Sequence, residues 1–440
     1  MVEVTLDLSA LCQVVRQTNS VRLNGSVTQV VGMVVESLGP RTRIGEVCQV
    51  HASRHQTMPA EVVGFRDKRV LLMPLGTMGA ISHGNEVTAT GGPLTVRVGP
   101  NLLGRVVDGL GRPLDGKGPL TGAVECPVYQ SPPHPLKRQR ITEPLRFGAR
   151  AIDGLLTCGK GQRIGIFAGS GVGKSTLLAM IARNSSADVN VIGLIGERGR
   201  EVRDFIERDL GEEGMRRSVV VVATSDQPPI VRLKGALTAT TIAEYFRDQG
   251  QDVMLTMDSV TRLAWAQREV GLAIGEPPTT RGYTPSVFAM LPQLLERAGA
   301  GTRGTITGLY TVLVEGDDMN EPIADTVRGI LDGHIVLSRE LAAQGQYPAV
   351  DPLQSVSRLM PDLASPEHQE AAVRFRDLLG TYRAAEDLIN VGAYVEGSNP
   401  KIDEARARIE GMRAFLRQEP NEPAPWEATI AHLRRAIGVE

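Results

Sequence analysis

The run Ala168-Gly169-Ser170-Gly171-Val172-Gly173-Lys174-Ser175 holds a small residue, four variable positions and Gly-Lys-Ser. Residue types in that order make a cradle for phosphate. Glycines let backbone N–H groups curl around phosphate oxygens, and a helix opening at the loop presents its positive end to the same anion. Lys174 would then neutralise the β- and γ-phosphates of a nucleotide, and the Ser175 hydroxyl would hold Mg²⁺. The flanks agree with this. Residues 163–167 read as a short buried strand, and 176–182, opening on Thr176, as an apolar helix.

Phosphate hydrolysis needs three further groups: a metal holder, a residue that positions water, and a positive charge on the transferring group. Asp258 closes the apolar run 253–257, where an unpaired carboxylate would be costly, and fits the metal holder. An N-cap for a helix starting near Ser259 explains the same residue. Glu197 follows the apolar run 191–196 and is flanked by Gly196, Arg198, Gly199 and Arg200; it fits the water-positioning residue, or a surface glutamate in a charged loop. Arg358 sits in a loop, Ser355-Val356-Ser357-Arg358, where pattern alone gives an ordinary surface arginine.

The elements that must position these groups fall into four zones. Residues 1–24 space Leu8, Leu11, Cys12 and Val15 at helical intervals, as either a packed helix or a docking helix for a regulator. From 25 to 97 short β-rich runs (30–35, 46–50, 61–65, 70–73) broken by glycines predict a small closed barrel. From 98 to 363 apolar strands (189–195, 219–222, 253–257, 306–314, 335–337) alternate with helical stretches, as in an α/β fold with a mostly parallel sheet. A Pro-rich connector, 131–135, joins the two. From 364 to 440 the pattern is helical and charged, over 367–379 and 403–417, then Pro-rich, then helical again.

A chain of 440 residues, 42% hydrophobic, can bury two or three cores. A net charge of −2 argues against an electrostatic grip on nucleic acid. Cys12, Cys48, Cys126 and Cys158 are widely spaced, as free thiols in a reducing cytosol would be. No apolar run approaches the roughly 18 residues of a membrane span, so the expectation is a cytosolic or membrane-peripheral protein.

Together the motifs resemble one family, the type III protein-export ATPases. The strings are residues 168–175, 196–202, 267–278, 316–325, 331–339 and 346–351, the last also similar to the catalytic subunit of rotary ATP synthases. The resemblance covers about residues 25–400. It implies an α/β P-loop core with a mostly parallel sheet, preceded by the barrel and followed by a C-terminal helical domain. It also implies ATP and Mg²⁺ as ligands. Glu197 then resembles the glutamate that polarises attacking water, and Asp258 the acid that holds Mg²⁺ through water. Arg198 resembles a phosphate-binding arginine, with a structural pairing to Asp258 or a neighbour as the other reading. Tyr347 resembles the aromatic that stacks on adenine, with a core tyrosine as the other reading. Arg358 resembles a finger projected by a neighbouring subunit, which makes a homo-hexamer the expected working form.

Residues 318–322 are similar to the flagellar branch rather than the virulence injectisome. The implied partners are regulatory and stalk proteins, export substrates and chaperones, and an export gate at the cytoplasmic face of the inner membrane. Thr284 and Trp265 depart from the family pattern, away from the phosphate chemistry. An RNA-translocating ring with the same core would want an aromatic, basic barrel face, and residues 25–97 hold Phe65 as their only aromatic residue.

Overall fold

The computed structural model describes residues 24–53 and 56–439. The helix expected around Leu8, Leu11, Cys12 and Val15 lies outside them. The chain forms two compact units, one ending at Leu94 and the other starting at Thr95.

The first unit is a closed antiparallel barrel. Its strands are Gly25–Val31, Val34–Leu38, Glu46–Ser53, Gln56–Arg66, Arg69–Pro74 and Glu86–Pro93, the first pairing with both the second and the last. Alternation sends Val27, Val35, Cys48, Val50, Val62, Leu72 and Val87 inward, and their side chains fill the barrel. The run 30–35, read above as one β-rich stretch, is two strands. Val31 faces Val34 across a tight turn at Gly32, whose φ of +57° suits a residue without Cβ.

The second unit is built on a sheet in the order Val356–Ser357, Gly333–Leu337, Arg163–Ala168, Thr305–Leu313, Asp252–Asp258, Val189–Ile195, Ser218–Ala223 and Val106–Asp108. All these neighbours pair in parallel except Val356–Ser357, which runs antiparallel along Gly333–Leu337. The central strands are covered on both faces, which is why Val189–Ile195 and Ser218–Ala223 are buried along their whole length. Parallel pairing brings the C-terminal ends of these strands to one edge. There the chain turns into the helices Lys174–Asn184 and Val260–Ile274.

The C-terminal region is helical: Pro366–Asn390, Pro400–Leu416 and Trp426–Ala436. Ser365 caps the first of these and Asn399 the second, each followed by proline at the first helical position. The first helix runs past the expected end at 379 because Tyr382 and Ala385 continue its buried stripe. Phe375 and Phe415 meet with ring centroids 5.5 Å apart, in a core shared with Ile152 and Leu155. Among the described residues no helix is long and apolar enough to cross a membrane.

Candidate active site

The strand Arg163–Ala168 delivers the chain to the phosphate-loop sequence, and the helix Lys174–Asn184 leaves it. Gly171 and Gly173 take φ values of +80° and +85°, left-handed geometry that favours glycine. Val172, buried between them, pins the loop to the core. No side chain caps the helix, so its first N–H groups stay free for an anion. Ser170, Ser175 and Thr176 are exposed on the same loop and first turn.

Three charged side chains meet beside it. Lys174 Nζ binds Asp258 Oδ1 and stands 3.8 Å from Glu197 Oε1. Both carboxylates are buried. They come from adjacent strands, with Leu194 level with Asp258 and Glu197 just beyond the end of its strand. The Thr311 hydroxyl donates to Asp258 Oδ1 at 2.6 Å from the strand on the other side. The N-cap reading of Asp258 gives way to its neighbour, since the Ser259 hydroxyl accepts the Arg262 N–H that an N-cap should take.

Capping by Ser259 starts the helix so that Arg262 lies in its first turn, facing Gly196-Glu197. Arg262 binds the Gly196 carbonyl and sets its Nε 3.4 Å from Glu197 Oε1. Gly196 is required there. Its φ is +74°, and a Cβ would meet the Arg262 side chain at 3.0 Å. Glu197 Oε1 is buried without a hydrogen-bond partner. Burial, ahead of repulsion from Asp258, pushes the Glu197 carboxyl up to about 7 against the pull of Lys174 and Arg262. A buried carboxylate oxygen with no hydrogen bond, next to a phosphate cradle, is suited to hold a water or a proton.

The remaining residues separate. Arg198 is 77% exposed and pairs with its neighbour Glu201 at 3.5 Å, the structural alternative, while the arginine beside Glu197 is Arg262. Tyr347 is half-exposed, and its ring would touch a Cβ on Gly173 at 3.3 Å; it lies on the phosphate loop, not in the core. Arg358 is exposed at the other end of the sheet. Ser357 is level with Gly333, and His334 with Gly165, whereas the phosphate loop leaves the sheet after Ala168. At ~3.3 Å per residue Arg358 is thus roughly 15–20 Å from its own loop, beyond the reach of its side chain.

Arg262 and Thr311 were not singled out from the sequence. Arg262 carries one usable signal, its place one turn beyond Asp258 in a helix that follows a strand. Thr311 carries none, because its role depends on sheet register.

Among the described residues no group of three or more His, Cys, Asp and Glu side chains could hold a metal by itself. Mg²⁺ takes most of its ligands from phosphate and water and needs only one or two from the protein. Ser175, exposed on the first turn of the helix, and Asp258, through water, could hold the ion.

Comparison with known proteins agrees with this geometry. Residues 27–91 match the ATP synthase alpha/beta family beta-barrel domain, 148–357 its nucleotide-binding domain, and 364–435 the T3SS EscN ATPase C-terminal domain. The chain is 58% identical to the flagellum-specific ATP synthase of Bacillus subtilis (strain 168), over 98% of this chain and 99% of that one. It is 53% identical to the type 3 secretion system ATPase of Xanthomonas euvesicatoria, over 94% and 93%. The assembled ATPase EscN of the enteropathogenic E. coli type III secretion system superposes with a TM-score of 0.90 at 46% identity, covering 94% of this chain and all of EscN. EscN in complex with its central stalk EscO superposes with a TM-score of 0.88. Its site and its relatives agree: the chain is an ATPase and belongs to the ATP synthase alpha/beta family, among the flagellum-specific and type III secretion ATPases.

Proposed function

We propose that this chain hydrolyses ATP to ADP and phosphate for flagellar protein export, as a subunit of a homo-hexameric ring. The observation that supports the chemistry is the buried Glu197 Oε1, ion-paired with Lys174 and Arg262 beside the phosphate loop but taking no hydrogen bond. Glu197 orients a water in line with the γ-phosphorus and holds its proton as the new P–O bond forms and the β–γ bridge breaks. Loop N–H groups and Lys174 take up the charge that develops on the phosphate oxygens. Asp258, held by Thr311, keeps Lys174 aimed at the phosphates. Mg²⁺, when bound at Ser175, supplies further neutralisation of the triphosphate. Tyr347 stacks on adenine, and Arg198, next to Glu197 in sequence, joins phosphate contacts once the site is filled.

The ring follows from Arg358. It lies too far from its own loop to serve it, yet it is exposed, and its guanidinium takes no hydrogen bond or ion pair among the described residues. A neighbouring subunit's site is the one it completes. EscN, of the same fold, has been solved in assembled form and with a stalk. A stalk, chaperones with their substrates and an export gate at the cytoplasmic face of the inner membrane are accordingly the partners expected here. The flagellar reading rests on 58% identity to the B. subtilis protein.

Mixing two inactive variants tests this arrangement. Glu197→Gln and Arg358→Ala subunits are each expected to lose about 10³-fold or more in kcat. Mixed, they form interfaces with an intact Glu197 on one side and an intact Arg358 on the other, so activity should return. No recovery in assembled mixtures would exclude a finger acting between subunits.

A further inference from the structure

Gln418 follows the helix Pro400–Leu416 and is 5% exposed, although its side chain is polar. It is fully used. Its Nε2 donates to the carbonyls of Gly148 and Glu422, each at 2.9 Å, and its Oε1 accepts the Arg150 N–H at 2.7 Å. Its backbone N–H donates to the carbonyl of Tyr347 at 2.9 Å. Arg150, also buried, reaches back to the Phe415 and Arg417 carbonyls and to Glu422. One side chain and its own amide thus join three segments: the turn that carries Tyr347, the start of the helix Arg150–Leu155, and the chain leaving the C-terminal helices.

The Tyr347 ring lies against Gly173 of the phosphate loop. The Tyr347 backbone is therefore held from one side by a buried residue of the C-terminal region. We infer that Gln418 is a positioning residue that sets the Tyr347 ring for the nucleotide base, so that the C-terminal helices control base affinity without entering the phosphate chemistry. This rests on the reading of Tyr347 as the residue that stacks on adenine.

A purely structural Gln418 would affect stability, or kcat and KM together. A positioning residue acting through Tyr347 alters the base-dependent part alone. Gln418→Ala in the full-length chain is expected to raise KM for ATP about five- to tenfold, with kcat within about twofold. Inhibition by inorganic tripolyphosphate, which has no base, should be unchanged. In a double-mutant cycle with Tyr347→Ala the two effects on KM should not add, because the second change removes what the first misplaces. Gln418→Glu keeps the acceptor for Arg150 but loses both side-chain donations; it should show the same split and stands in if the alanine variant misfolds. Additive effects, a fall in kcat equal to the rise in KM, or weaker tripolyphosphate inhibition would each overturn the inference. An unchanged KM in Tyr347→Ala would instead remove the base-stacking reading. A raised KM there with none in either Gln418 variant would remove the coupling alone.

Discussion

The two ends of the nucleotide-binding sheet hold their charges in opposite ways. At the C-terminal edge Lys174, Asp258, Glu197 and Arg262 neutralise one another at close range and away from water. At the N-terminal edge Arg163 is likewise paired, with Asp332 and Glu296, but Arg358, whose backbone N–H donates to the Asp332 carbonyl, has no side-chain hydrogen bond or ion pair among the described residues. One edge is closed upon itself and the other offers a charge outward. The difference teaches that the residues proposed for catalysis need not share a stability role. Lys174 compensates two buried carboxylates, whereas the Arg358 guanidinium makes no hydrogen bond or ion pair among the described residues, as the proposed finger between subunits requires.

The largest effects should fall where that contrast is sharpest. Lys174→Ala and Arg358→Ala are both expected to cut kcat by about 10³-fold or more. Their stabilities should diverge. Removing Lys174 takes the cation from buried Asp258 and leaves Glu197 with Arg262 alone, a loss of about 3 kcal/mol. Removing Arg358 from an exposed position should change unfolding by less than about 0.5 kcal/mol. Urea unfolding of the two variants side by side decides it. Equal destabilisation would mean Arg358 has a partner within its own chain.

A smaller effect is expected at Gly196, which permits the closed edge to close. Gly196→Ala places a Cβ at a φ of +74° and 3.0 Å from the Arg262 side chain. Backbone strain of about 1–2 kcal/mol follows, and Arg262 must withdraw from Glu197. A drop in kcat of about ten- to a hundredfold is expected from that misplacement. Steady-state kinetics with an unchanged rate would show that Arg262 has no part in orienting Glu197.

Why some of this was legible in the sequence and some not follows from the range of each interaction. The phosphate loop, Glu197 and Asp258 announce themselves because each sits at the end of an apolar strand, and a strand is a local pattern. The barrel is legible for the same reason, except that Gly32 splits what looks like one run, since a tight turn needs only two residues. Thr311 is invisible because its contact with Asp258 is set by register between strands more than fifty residues apart in sequence. Tyr347 falls between the two: the resemblance implies stacking, but only the fold shows its ring against Gly173. Arg198 shows how the side chain's direction escapes the sequence, the fold pairing it with its neighbour Glu201. Arg198 stands beside Glu197 in sequence, and the chain turns it outward while Arg262, distant in sequence, lies beside Glu197.

The smallest expected effect comes from the charge state of Glu197 and carries a sign that is easy to check. Its carboxyl is raised from an ordinary value near 4.5 to about 7, chiefly by burial. A carboxyl that is harder to ionise when folded contributes stability below its unfolded pKa, and that contribution is lost as pH rises through the folded value near 7. Wild type should therefore lose ground to Glu197→Gln between about pH 5 and pH 8, with the variant melting a few degrees higher at the alkaline end. In the same window wild-type kcat/KM for ATP should rise with pH, because the ionised carboxylate is the form that can accept the water proton. The two curves must bend together if one group causes both. A stability difference that stays flat while activity rises would assign the kinetic ionisation to some other group, and would leave the closed edge without the strained carboxylate on which its contrast with Arg358 depends.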